Sequence, residues 1–247
     1  MIDHFSVILT SSDISNMKTL NGYQMYGCLA ALFKEETADW LHNNIRSPIS
    51  QNIIFNDKKI IWEINSFDEL LSEEITDILH ENTVFHAQKA NTFLSVESVE
   101  HERIKNFSDI RKKTSALIGH KYIDMNFRTT TALKKNGEFL IFPDMELLLK
   151  NLWNNWNMIF PDTPFDDEDA FRLLVKGVYI SSYRLNSSIY RMKGNDIRGF
   201  YGTLTVAHRL SQPMQEIFTA LLVLSQYSGT GVKTTLGMGK TNISISN

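Results

Sequence analysis

A single cysteine, Cys28, occurs in a chain of 247 residues. It cannot form an internal disulfide, and without a cysteine cluster there is no zinc site of the usual kind. Five prolines and twelve glycines are too few for a collagen-like or low-complexity chain. Long apolar runs are missing as well. The strictly apolar run near the C-terminus, Ala220 to Leu224, falls far below the ~20 residues that a membrane helix needs. The opening MIDHFSVILT carries Asp3 where a secretory signal would be basic, and no long apolar segment follows it. No G-x-S-x-G nucleophile turn occurs. The seven histidines, His4, His42, His80, His86, His101, His120 and His208, show no metal-pair spacing with a supporting carboxylate. These absences predict a soluble cytoplasmic protein without a membrane partner, metal or other cofactor.

What is present can build a core, because 43% of the residues are apolar. The net charge of -3 argues against a nucleic-acid binder when taken alone. The charge is unevenly spread, however. Residues 1–120 hold 11 Lys/Arg and 17 Asp/Glu, and residues 121–247 hold 14 and 11. From Phe171 onward nine basic residues face only Asp196 and Glu216. Such a segment can neutralise phosphates locally, or it can be ordinary charge scatter.

Hydrophobic periodicity supplies the elements. Phe5, Val7 and Leu9 alternate as a strand. Asn21-Gly22 opens a helix whose buried stripe holds Tyr26, Leu29 and Phe33 with Met25 and Leu32 beside them, and a second helical piece spans 36–43 with Ala38 and Leu41 inward. Two strands, 52–55 and 59–65, flank a turn at Asn56-Asp57. Ser66 and Glu69 match a capping box for a helix reaching Glu81, and a strand covers 92–99. This order is the ferredoxin-like βαββαβ pattern. The second half repeats it. Tyr122 to Arg128 alternates as a strand, and Asn136-Gly137 signals a hairpin. A helix from Pro143-Asp144 presents Met145, Leu148, Leu152 and Trp156 on one face. An acidic loop spans 162–169. Long strands at 175–185 and 197–207 surround a turn near Lys193-Gly194-Asn195. A helix from Ser211 to about Tyr227, a glycine-rich loop at 229–239 and a strand at 241–245 complete the chain. The expected class is α+β, with two tandem ferredoxin-like domains at 1–118 and 119–247 and a C-terminal glycine-rich loop.

Two places can carry chemistry. The segment SGTGVKTTLGMGKT, Ser228 to Thr241, ends in Gly-Lys-Thr, yet Thr234 stands where a phosphate-binding P-loop needs glycine and a strand follows instead of a helix. Its glycines either let backbone N–H groups approach phosphate oxygens or serve turn geometry alone. His42 ends a helix ahead of Asn43-Asn44. Its imidazole can cap that helix, or it can act as a general acid or base near neutral pH. Arg46 lies one turn on and can steady a phosphate. Cys28 falls on the inner side of its helix as a small core residue.

Four blocks in this order carry a resemblance. They are the glycine-rich loop, GYQMYGCLAALFKEETADWLHNN from Gly22, FRTTTALKKNGEFLIFPDMELLLKNLWNNW from Phe127, and ISSYRLNSSIYRMKGNDIRGFYGTLTV from Ile180. Together they resemble the CRISPR-associated repeat-cleaving endoribonucleases, Cas family six, in their type III-associated form. The resemblance implies tandem ferredoxin-like domains and metal-independent cleavage of precursor CRISPR RNA within its repeats. The ribose 2′-OH would attack the adjacent phosphate, leaving a 2′,3′-cyclic phosphate and a 5′-OH. The catalytic histidine maps to His42, the tyrosine of the same helix has Tyr26 and Tyr23 as candidates, and the following cation maps to Arg46. RNA contacts map to the loop, Gly229, Gly231, Lys233, Thr234, Thr235, Gly237 and Gly239, and the clustering of Arg184, Arg191, Lys193 and Arg198 on the long predicted hairpin adds them as expected backbone contacts. The implied partners are precursor CRISPR RNA, a type III interference complex and a second copy of the chain as a homodimer. The alternative reading is a non-catalytic RNA-binding scaffold subunit of such a complex.

Overall fold

The structure, a computed structural model, describes residues 1–13, 19–44, 47–192 and 194–246. Two compact units make up the chain. The first comprises Met1–Ile104 with Thr234–Gly237, and the second Lys105–Lys233 with Met238–Asn247. The division thus falls earlier than residue 118, and the tip of the glycine-rich loop belongs to the first unit.

In the first unit β1 (Ile2–Thr10) is the central strand. Helices α1 (Gly22–Ala30) and α2 (Glu35–Asn43) lead to β2 (Ile49–Asn56) and β3 (Lys59–Ser66), followed by α3 (Glu69–Glu81), β4 (Val84–Ala87) and β5 (Thr92–Ile104). All pairings are antiparallel and the order is β2-β3-β1-β5-β4. The first four strands of that order are the ferredoxin-like set. The short edge strand β4 is an addition that periodicity does not reveal. Phe5, Val7, Leu9, Ile60, Trp62 and Ile64 bury one sheet face against Met25 and Leu29 of α1 and Leu71 and Ile75 of α3. Each such side chain contributes roughly 1.5–3 kcal/mol on burial. Leu32, expected beside the inner stripe, is exposed because α1 ends at Ala30.

Asn21 caps α1 in a reciprocal box. Its side chain accepts from the Gln24 N–H at 3.1 Å, and Gln24 Oε1 accepts from the Asn21 N–H at 2.9 Å. Ser66 does not cap α3 as its spacing suggests. It is the last residue of β3, fully buried and extended, and Asp68 accepts the Leu71 N–H at 3.0 Å instead.

The second unit begins with α4 (Phe107–Thr114), a short helix that the basic run Arg111-Lys112-Lys113 hides from a periodicity reading. There follow β6 (Tyr122–Thr131), the hairpin β7 (Leu133–Lys135) and β8 (Glu138–Leu140), α5 (Met145–Ile159), α6 (Glu168–Gly177), β9 (Val178–Met192), β10 (Asn195–His208), α7 (Gln212–Ser228) and β11 (Thr241–Ile245). The sheet order β11-β6-β10-β9 is again ferredoxin-like. Asn136 and Gly137 both take positive φ, 51° and 88°, as the two-residue hairpin turn demands. The end of the expected acidic loop, residues 168–169, and the start of the following strand are corrected by α6. The Asp167 carboxylate accepts from the Asp169 and Ala170 N–H groups at 2.8 and 3.0 Å, and this cap turns residues 168–177 into a helix. Leu148, Leu152, Trp156, Phe127, Phe200, Leu204, Phe218 and Leu222 are buried in this unit.

Candidate functional site

His42 occupies the last turn of α2 and is exposed, while its neighbour Leu41 is buried in the core. Glu35 and Glu36 in the first turn and His42 in the last match the sign of the helix dipole. The helix has no side-chain cap from its own N-cap residue, Lys34. Glu74 of α3 supplies one, its two carboxylate oxygens accepting from the Lys34 N–H at 2.5 Å and the Thr37 hydroxyl at 2.6 Å. At the other end the Asn44 N–H donates to Trp40 O at 3.0 Å. His42 therefore projects from the C-terminal end of a helix whose start is tied to α3 by Glu74, and it does not belong to the core. Arg46 lies outside the described residues.

Tyr26 is half-buried on α1, and burial pushes its hydroxyl pKa up. It lines a cavity of ≈ 530 Å³ with Tyr23, Cys28, His86 and Lys89. His42 is not in that lining. Lys89 Nζ stands 4.4 Å from the Tyr23 ring centre. Cys28 is half-buried rather than a core residue, and burial raises its thiol pKa to about 11. A thiol so protonated is no nucleophile at neutral pH. Among the described residues no group of three or more His, Cys, Asp and Glu converges in a metal-binding arrangement.

The glycine-rich loop is more tightly built than its composition suggests. Gly229, Gly231, Gly237 and Gly239 all have positive φ. A Cβ on Gly231 would lie 2.2 Å from Ala132 O, and one on Gly239 would lie 2.2 Å from Thr230 O. The amides here already donate within the protein: Thr230 to Gly239 O, Gly231 to Asn151 Oδ1, Val232 to Ala132 O, Gly237 to Thr234 O, Met238 to Lys233 O and Gly239 to Thr130 O. The glycines thus permit close backbone packing, and these N–H groups do not form an open phosphate cradle. Thr241 starts β11, which excludes the P-loop geometry. At the tip, Lys233 is exposed with φ 57°, and Thr234–Leu236 make a short 3-10 turn. The Thr235 hydroxyl donates to Ile49 O at 3.0 Å, and the Thr235 carbonyl accepts from Gln51 Nε2 at 2.9 Å. Thr235 is an anchor, which leaves exposed Lys233 and half-buried Thr234 beside it.

On the long hairpin Arg191 and Arg198 share one face, because Arg198 pairs with Ile189 and Asp196 with Arg191. Both line a cavity of ≈ 540 Å³ with Ile141, Ser187, Ser188 and Ile189. Arg184 is exposed on the opposite face by strand alternation, since it pairs with Thr203. Lys193 lies outside the described residues. Sequence reasoning missed Glu74 and Gln51. A buried glutamine between Ile49 and Ile53 breaks the apolar alternation of β2, and that break is the available signal.

A family model for the CRISPR-associated endoribonuclease Cas6 matches residues 125–241. A CRISPR-associated endoribonuclease Cas6 of Streptococcus thermophilus is 26% identical over 228 residues, spanning 87% of this chain and 88% of the relative. Among solved structures, a Cas6 product complex superposes with a TM-score of 0.81 at 17% identity, covering 99% of this chain and 100% of that one. Thermus thermophilus Cas6 gives 0.76 at 17% identity, covering 99% and 98%. Shared sequence along most of the chain and a shared fold in both halves agree with the four motif blocks, and the chain is similar to the CRISPR-associated endoribonucleases Cas6.

Proposed function

We propose that the protein cuts precursor CRISPR RNA within its repeats, without a metal ion, to yield guide RNAs for a type III interference complex. The carrying observation is His42, exposed on the end of a helix in a chain similar to the Cas6 endoribonucleases. Neutral imidazole takes the proton of the ribose 2′-OH as its oxygen attacks phosphorus. The P–O5′ bond breaks, and the 5′-oxygen leaves with a proton returned by imidazolium or solvent. A cyclic phosphate and a 5′-OH result, with protons in balance. Imidazole is the side chain whose unperturbed pKa suits both halves of this exchange. Arg46 is proposed as the cation that offsets charge on the pentacovalent phosphorus. Tyr26 is proposed as an assisting hydroxyl, with burial pushing its pKa up. The loop meets RNA through Lys233 and Thr234, and Arg191 and Arg198 meet backbone phosphates.

Single-turnover cleavage of a repeat RNA in EDTA tests this reading. Wild type should make one cut. His42→Ala should lose ~10²–10⁴-fold in rate, the worth of proton-transfer catalysis, while binding RNA as wild type does. RNA binding by wild type with no cut would favour the scaffold reading, and full-rate cleavage by His42→Ala would remove the histidine from the mechanism.

A further inference from the structure

We infer that Gln51 is a positioning residue for RNA recognition: it clasps the tip of the glycine-rich loop, Thr234–Gly237, to the start of α1 and so presents Lys233 and Thr234 in one geometry. The inference rests on the proposed role of the loop as an RNA contact. Gln51 sits on β2 between Ile49 and Ile53 and is 1% exposed. A buried amide there is costly unless its polar atoms find partners. They do. Trp62 Nε1 donates to Gln51 Oε1 at 3.0 Å, while Gln51 Nε2 donates to Gly22 O at 2.7 Å and to Thr235 O at 2.9 Å. Indole is a donor only, so it settles which end of the amide is oxygen and aims the NH₂ group at the two carbonyls.

The clasp is closed from two other sides. The Thr235 hydroxyl donates to Ile49 O at 3.0 Å. A Cβ on Gly22 would lie 2.5 Å from Gly237 Cα, so the helix start and the loop tip touch backbone to backbone. A glycine-rich segment loses more conformational freedom on ordering than any other. Holding it before RNA arrives removes that cost from binding, which is where pre-organisation acts on affinity. Gln51 itself touches neither RNA nor the reacting atoms.

The test compares Gln51→Leu, Lys233→Ala and the double variant with wild type on one repeat RNA. Gln51→Leu should weaken binding by roughly tenfold, the effect of losing a buried hydrogen-bonded link. It should flatten the salt dependence as Lys233→Ala does, and leave the single-turnover rate at saturating RNA near wild type. In the double variant the two losses should overlap rather than add, because both remove the same interaction with RNA. Thr235→Val, which deletes only the hydroxyl link to β2, should shift affinity the same way by less and covers the case of a Gln51→Leu protein that does not fold. Wild-type affinity in both clasp variants, or losses that simply add to that of Lys233→Ala, would overturn the inference. If the wild-type protein does not bind repeat RNA at all, the proposed function itself fails and the inference falls with it.

Discussion

Asp3 shows how one residue can be legible by type and illegible by role. Along the sequence it is the acidic residue that spoils a signal segment, and the fold makes it a fully buried hub on β1. Its Oδ1 accepts from His101 Nε2 and Arg103 Nε, both at 2.7 Å. Burial by itself would raise the carboxyl pKa. The hydrogen bonds from Arg103, His101 and Ser72 and the charge of Arg103 outweigh it and leave the pKa below the ordinary aspartate value. A depressed carboxylate stabilises the fold at pH values above its unfolded pKa of ~3.9 and loses that contribution as pH falls through the lower folded value. Asp3→Ala should therefore cost roughly 2–3 kcal/mol at neutral pH, less than a wholly dry pair because Arg103 and His101 are each more than one-third exposed. Urea unfolding at pH 7 and near pH 3 checks this, and the gap between variant and wild type should narrow in acid.

At the level of elements, the glycine-rich loop was legible as a loop but not as a packed one. Gly239 and Gly137 both hold positive φ, 75° and 88°. A Cβ at Gly239 meets Thr230 O at 2.2 Å, whereas one at Gly137 meets nothing within 4 Å. Gly137→Ala should cost only the ~1–2 kcal/mol of a left-handed alanine. Gly239→Ala should cost about 2 kcal/mol more, because backbone must also move, or ~4–8 °C in Tm at this chain length. Thermal melting of the two variants side by side decides it, and equal Tm losses would mean that the loop yields freely. Helix α6 makes the complementary point. Asp162 to Asp169 has the composition of a solvated acidic stretch, and one carboxylate, that of Asp167, turns its end into a helix start.

On the scale of the whole chain the charge asymmetry has an address. Arg191 and Arg198 stand on one face of the β9–β10 hairpin, and Arg184 stands on the other. Reversing the first two to glutamate should weaken repeat-RNA binding. It should also reduce the slope of log K against log salt by ~0.7 for each phosphate of a single strand that is no longer neutralised. Arg184→Glu should act additively with that pair, since it shares neither face nor cavity with it. An unchanged slope in titrations at several salt concentrations would reduce all three to ordinary surface charge.

Strand alternation, the Asn136-Gly137 turn, the amphipathic stripes of α1, α5 and α7 and the strand after the glycine-rich loop all follow from residues a few places apart. The sequence by itself therefore determined the twice-repeated element order and placed His42 at a helix end, where the resemblance makes it the candidate histidine. Features that depend on distant partners had no such local trace. Gln51 meets carbonyls 29 and 184 positions away, and Glu74 caps a helix that begins near residue 35. Only the tertiary structure could assign Thr234–Gly237 to the first unit, divide Arg184 from Arg191 and Arg198, and convert four flexible glycines into a braced loop. Periodicity reports which side of an element is apolar, while hydrogen bonds between remote residues form only once those elements have packed.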